Sequence, residues 1–336
     1  MAALWRQKRK GAASRGFALV IVIIVVLVAS FLASQLILQV RTELAVSHNI
    51  KRRVSGHFLA AAGMNIGLFR ILDRPLDTPA LGAEEDWQDF IQGYPYQVFL
   101  PQGKVTYYVT SENGKIDLNK SPQALIELFL QYQLGEDKEE EILTVIDSLL
   151  DWRDNDDLHR ENGAESEYYG ALADPYIARN GKIEDPSEFF LLRGTRAMAG
   201  RFSASDVFTV HSTDGRINFN SLTPAMLDFL TGGDKERADA YYAAQAEFKG
   251  QLNQAIASEV LGDNYAKFQA FLTYGVSNSA FYYVVGTGYA GVEQNQEDAT
   301  AVEGEAPRKQ PGTVDSMVIK KEGGAFTCLA WQERYI

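Results

Sequence analysis

Residues 17–40, FALVIVIIVVLVASFLASQLILQV, contain no charged side chain, and no feature of the 336-residue chain constrains it more. As an α-helix this stretch extends about 36 Å, longer than the ~30 Å hydrocarbon core of a bilayer. Five basic residues (Arg6, Lys8, Arg9, Lys10 and Arg15) precede it, with no acid among the first sixteen positions. That asymmetry predicts a single-pass helix with its leader in the cytoplasm and the bulk of the chain on the far side. A cleaved secretory signal fits poorly. Its apolar core is usually about 7–15 residues and ends in small residues, whereas here Arg41, Thr42 and Glu43 follow a longer run.

Charge narrows the functional classes. The chain has 32 basic and 44 acidic residues, and without the five leader cations the balance is 27 against 44, or −17. So acidic a body repels phosphate backbones, which disfavours nucleic-acid binding. The single cysteine, Cys328, rules out an intramolecular disulfide and a Cys-based zinc site. Its place in an alternating terminal strand predicts a buried residue. The four histidines (His48, His57, His159 and His211) are scattered and form no HExxH pair, and there is no GxSxG or GxxxxGK[ST] motif. They are read as structural, and no enzyme is expected. Gly286–Gly291 matches GxGxxG, but a polar loop follows where a dinucleotide site needs a helix. Those glycines are expected to serve a bend or bulge.

Beyond the apolar run the helix is expected to continue to Asp73 and to stop at Pro75. Val54, Phe58, Ala62, Ile66 and Phe69 recur at three- and four-residue steps as its apolar face. Residues 94–101 and 104–110 read as a hairpin joined by Gln102-Gly103. Two related segments follow, GKIDLN (114–119) and GRINFN (215–220), each leading to a helix start, Ser121-Pro122 and Thr223-Pro224. Between about 122 and 274 the pattern is mostly helical, clearest over 142–150 and 238–272. Strands return at 281–285, 316–320 and 325–331, and the polar segment 291–313 reads as a mobile loop. The order predicts an α+β fold with a large all-helical insertion.

The segment DWRDNDD (151–157), followed by Glu161, Glu165 and Glu167, gathers carboxylates on one turn. Converging carboxylates suit a hard cation such as Ca²⁺, which takes six to eight oxygens. Glu165 lies eleven residues after Asp154, as the bidentate Glu of an EF-hand does, but Leu158 and His159 break the remainder of that pattern. Spacing alone leaves a calcium site and a solvated acidic turn both open, and favours the turn. Asp185-Pro186-Ser187-Glu188 reads as a capping box.

Two resemblances follow from these residues. Arg15-Gly16-Phe17-Ala18-Leu19-Val20 resembles a prepilin signal, which implies cleavage by prepilin peptidase after Gly16 and N-methylation of Phe17. Most pilins carry Glu at the fifth mature position, to pair with a neighbour's terminal ammonium. Ile21 stands there, as befits a subunit with no neighbour above it. The succession DWRDNDD, GAESEYY (163–169), PYIARN (175–180) and IEDPSEFF (183–190), with the two glycine-led segments, resembles the K-type minor pseudopilins of type II secretion systems. That resemblance implies a leader (1–16), a transmembrane helix (17–40), a periplasmic pilin-like domain (41–118 and 276–336) and a helical insertion (119–275). It further implies calcium at Asp154, Asp156, Asp157 and Glu165, and partnership with I- and J-type minor pseudopilins. The expected role is a non-enzymatic tip subunit in protein export, held in the bacterial inner membrane. A large minor pilin of a type IV pilus and a signal-anchored periplasmic binding protein are the alternatives, and helix-hairpin-helix DNA binding is disfavoured by the acidic surface.

Overall fold

The computed structural model describes residues 13–72, 90–277, 279–292 and 312–335. Most of the expected leader (1–12), Pro75 and most of the 291–313 loop lie outside them. The chain divides into two units, Met1–Ser55 and Gly56–Ile336. In the first, the described residues are all helical, and the large apolar side chains from Phe17 to Ile50 are exposed. They belong to helix α1 (Ala13–Leu72), which runs without a break through the uncharged stretch. No proline or glycine interrupts residues 17–55, so every backbone N–H in that stretch can find its carbonyl one turn back.

In the second unit, five antiparallel strands form one sheet in the order β1 (Tyr96–Leu100), β2 (Gly103–Ser111), β7 (Phe281–Ala290), β8 (Thr313–Glu322) and β9 (Ala325–Tyr335). The first hairpin turns on Pro101-Gln102, one residue earlier than expected, because Leu100 pairs with Gly103. Strands β2 and β7 are neighbours in the sheet although some 170 residues separate them. The whole helical block is therefore inserted between two adjacent strands.

The last turns of α1 lie on one face of this sheet, through a stripe the apolar periodicity did not identify. Gly56, Leu59, Ala60, Gly63, Met64, Gly67 and Leu68 are buried, whereas Val54, Phe58 and Phe69 are exposed. Close approach is the reason. A Cβ on Gly286 of β7 would lie 2.0 Å from the Ala60 carbonyl oxygen, and one on Gly288 would lie 2.1 Å from that of Gly56. Neither glycine makes a bulge or bend, since the β7 register runs unbroken on both sides. They leave room for a helix backbone. Met64, Leu68, Val109, Tyr282, Val284, Met317 and Ile319 fill the contact.

The inserted block holds the large core, drawn from Ile116 to Leu272. Its helices are α2 (Gln123–Leu134), α3 (Glu139–Arg153), α4 (Ser166–Gly170), α5 (Ala204–Val207), α6 (Pro224–Thr231), α7 (Lys235–Glu247), α8 (Gln254–Leu261) and α9 (Tyr265–Phe268). The mostly helical run over 238–272 consists of α7, α8, α9 and short turns, with Gly250 and Gly262, both at positive φ, between the helices. The two glycine-led segments form equivalent structures. Each gives a two-residue parallel pairing, β3 (Ile116–Asp117) with β4 (Phe208–Thr209), and β5 (Ile217–Asn218) with β6 (Leu272–Thr273). The final asparagine of each then clamps a distant backbone with both ends of its amide. Asn119 exchanges hydrogen bonds with Ile183, and Asn220 with Leu252. Thr223 caps α6 by accepting from the Met226 amide, as expected. Ser121 does not cap α2; its hydroxyl accepts from Asp117 N and donates to the Gly215 carbonyl, joining the two repeats.

A polar seam fastens the insertion to the other face of the sheet. Asp206 accepts from Tyr283 Oη (2.8 Å) and from both terminal nitrogens of Arg334. Lys115, fully buried, pairs with Glu112 at 2.5 Å and lies 3.5 Å from the centroid of the Tyr283 ring. Cys328 is exposed, against expectation. β9 is an edge strand, and its residues 325–333 are exposed on both faces; a register shift between Val318 and Ile319 makes Leu329 an extra residue in it.

Candidate functional site

The four motif segments of the insertion converge on one place. Trp152, at the end of α3, packs edge-on against Tyr169 of α4 (5.2 Å between centroids), and Tyr169 stacks on Tyr176. Trp152 Nε1 donates to Glu188 Oε2 at 3.0 Å, and Arg179 Nε donates to the same oxygen at 2.5 Å. Glu188 Oε1 accepts from the amides of Glu184 and Asp185, while Asp185 accepts from Ser187 N, completing the expected capping box. Burial pushes the Glu188 carboxyl up, but these donors outweigh it and hold it below the ordinary range. The motifs thus meet in one knot around the Glu188 carboxylate.

The acidic loop leaves this knot at the C-terminal end of α3. Asp151 is buried and accepts from the backbone amide of Arg160 and from its guanidinium, which also reaches Asp154 at 2.7 Å. Gly163 is required beside it, since a Cβ there would meet Asp151 Oδ2 at 1.8 Å. Held in this way, the loop brings carboxylate oxygens of Asp154, Asp156 and Glu165 within 4.8 Å of one another. Asp157 is not in that trio and accepts from Asn180 Nδ2 at 2.9 Å. Asp151, Arg160 and Asn180 were not anticipated as parts of the site. Asp151 and Asn180 do stand inside the recognised motifs.

Glu165 decides what the cluster can do. Its side chain is buried and neither carboxylate oxygen has a hydrogen-bond partner. Asp154 Oδ1 is in the same condition. Burial, then the charges of Asp151, Asp154, Asp157 and Asp156, push the Glu165 carboxyl up from 4.5 to about 7. A buried carboxylate without donors, facing other carboxylates, is costly unless a cation joins it. Oxygens on opposite sides of one Ca²⁺ stand about 4.8 Å apart, from bonds near 2.4 Å. Asp154, Asp156 and Glu165 can therefore hold a hard divalent cation.

The long helix on an antiparallel sheet, with an all-helical module between neighbouring strands, defines an α+β protein with a helical insertion. Residues 109–201 match the family described as type II secretion system (T2SS), protein K, and all four motifs and the first glycine-led segment lie within them. Over those residues the chain is similar to that family. Among solved structures, a similar chain occurs in the GspK–GspI–GspJ complex from the enterotoxigenic Escherichia coli type 2 secretion system. It is 15% identical, with a TM-score of 0.47 covering 88% of this chain and 99% of that one. No curated protein sequence matches.

Proposed function

We propose that this chain is a non-catalytic minor pseudopilin at the tip of a type II secretion pseudopilus, acting in protein export across the outer membrane. The match of residues 109–201 to the protein K family carries this reading. The apolar residues 17–40 anchor the subunit in the inner membrane before assembly and pack among equivalent helices afterwards. Prepilin peptidase cuts after Gly16, and Phe17 becomes the methylated N-terminus. Val54, Phe58 and Phe69, exposed on the part of α1 beyond the apolar run, form a face left for neighbouring subunits. The inserted block would crowd lateral neighbours in a packed helical array, which favours a terminal place. The partners are I- and J-type minor pseudopilins, the assembly named for the Escherichia coli structure.

Calcium at Asp154, Asp156 and Glu165, with Asp157 beside them, stabilises the insertion. Its support is the donorless buried carboxylate of Glu165. The ion supplies charge compensation and no chemistry; Asp151 and Arg160 hold the loop in which its ligands sit.

Affinity capture of the full chain from detergent extracts tests the function, after co-expression with the I- and J-type pseudopilins and the prepilin peptidase of the same bacterium. A stoichiometric three-subunit complex is expected, with mass spectrometry finding methylated Phe17 at the terminus of this chain. Capture of this chain alone while the other two associate, or a terminus at Met1 or beyond Val40, overturns the reading.

A further inference from the structure

A second constellation lies far from the acidic loop in sequence, where α1 crosses the sheet. His57 of α1, Asp315 of β8 and Glu333 of β9 place one ligand atom each within 4.8 Å of the other two. Asp315 stands opposite Gly286 on one side and Glu333 on the other. Two carboxylates directly opposed on antiparallel neighbours repel one another, and a sheet holds such a pair at a cost unless a cation lies between them. Because residue 286 has no side chain, α1 lies close to the sheet. The Asp315 side chain, on the same face, is fully buried.

The three groups touch without being satisfied by hydrogen bonds. His57 Nδ1 is 2.9 Å from Asp315 Oδ2 and 3.8 Å from Glu333 Oε2. Yet Nδ1 and both Asp315 oxygens are buried atoms with no hydrogen bond of acceptable geometry. Burial also pushes the Asp315 carboxyl up, against the pull of His57. Atoms that converge in this way present lone pairs to a common point. Ligands on one tetrahedral zinc ion, with bonds of about 2.0–2.1 Å, stand about 3.3 Å apart. The two observed separations bracket that distance. One imidazole nitrogen with two carboxylates suits zinc with a water in the fourth position, whereas calcium requires more ligands and only oxygens.

We propose that His57, Asp315 and Glu333 form a zinc-class transition-metal site that clasps the N-terminal helix to the last two strands of the sheet. The ion neutralises the opposed carboxylates and ties together segments more than 250 residues apart in sequence, a long-range tether that acts only in the folded state. Nothing in this site depends on the identity of the secretion partners or on calcium.

Zn²⁺ titration of the full chain in detergent, by calorimetry, with Ca²⁺ present in excess to saturate the acidic loop, tests the proposal. One saturable Zn²⁺ site per chain is expected, together with a rise in the thermal midpoint. Co²⁺ in place of Zn²⁺ should give the visible absorption of a four-coordinate site. His57→Gln and Glu333→Gln, both at partly exposed positions that tolerate a neutral side chain, should each weaken Zn²⁺ binding at least tenfold. Glu165→Gln should leave it unchanged. No saturable binding by the parent chain, or undiminished binding by folded His57→Gln, overturns the proposal.

Discussion

The most demanding expectation concerns Glu165 and the pH dependence of stability. Its carboxyl titrates at about 7 in the fold and at 4.5 in a free chain, because it is buried and faces Asp151, Asp154, Asp157 and Asp156. The folded state therefore keeps a proton that the unfolded chain has already lost. The associated stability is complete below about pH 4.5 and disappears as pH rises through 7. At 1.36 kcal/mol for each pH unit between the two values, about 3 kcal/mol is lost. For a folded part of this size that corresponds to a fall of roughly 6–12 °C in melting midpoint. The assay is a thermal melt of the full chain in detergent from pH 5 to 8, in EDTA and in calcium. In EDTA the parent should weaken steadily relative to Glu165→Gln, and above pH 7.5 the variant should be the more stable of the two. Calcium at a hundredfold excess over its dissociation constant should restore about 2.7 kcal/mol to the parent at pH 8 and nothing to the variant. Magnesium should act weakly, since it demands a tighter octahedron. A parent that tracks the variant at every pH in EDTA, or a variant less stable than the parent at pH 8 without calcium, would refute the reasoning.

Three further outcomes follow from the packing. Gly286→Ala drives a methyl to 2.0 Å from the Ala60 carbonyl, so α1 must shift, and chemical denaturation should show a loss of about 1–3 kcal/mol. Lys115→Met strips the buried Glu112 of its counter-charge, leaving the Thr209 hydroxyl, and should cost about 3–5 kcal/mol, most of it recovered when Glu112→Gln is added. Cys328 is exposed on the edge strand β9, so a maleimide should label it in the native chain as fast as in denaturant; slow native labelling would contradict an uncovered β9.

Local information in the chain was enough for some of this structure. The uncharged run 17–40 forms a helix because nothing in it breaks the hydrogen-bond ladder. Asp185 to Glu188 cap a helical turn and Thr223-Pro224 begin α6, because both devices act within four residues. The motif residues likewise predicted their own neighbourhood, with Asp154, Asp156 and Glu165 meeting across eleven residues of loop.

Tertiary structure decided what depends on elements brought from far apart. Periodicity chose Val54, Phe58 and Phe69 as the packing face of α1, but the sheet is met by Gly56, Gly63 and Gly67, whose contribution is the absence of a side chain. A scale that rewards apolar bulk cannot register that. Gly286 and Gly288 were misread for the same reason, and Cys328 because β9 is an edge strand, whose residues 325–333 are exposed on both faces. Asp157 accepts a hydrogen bond from Asn180, a pairing across 23 residues that no local motif identifies. The meeting of His57 with Asp315 and Glu333 has no trace in local sequence. It exists because a helix from the start of the chain crosses strands from its end, and only the folded sheet sets that crossing.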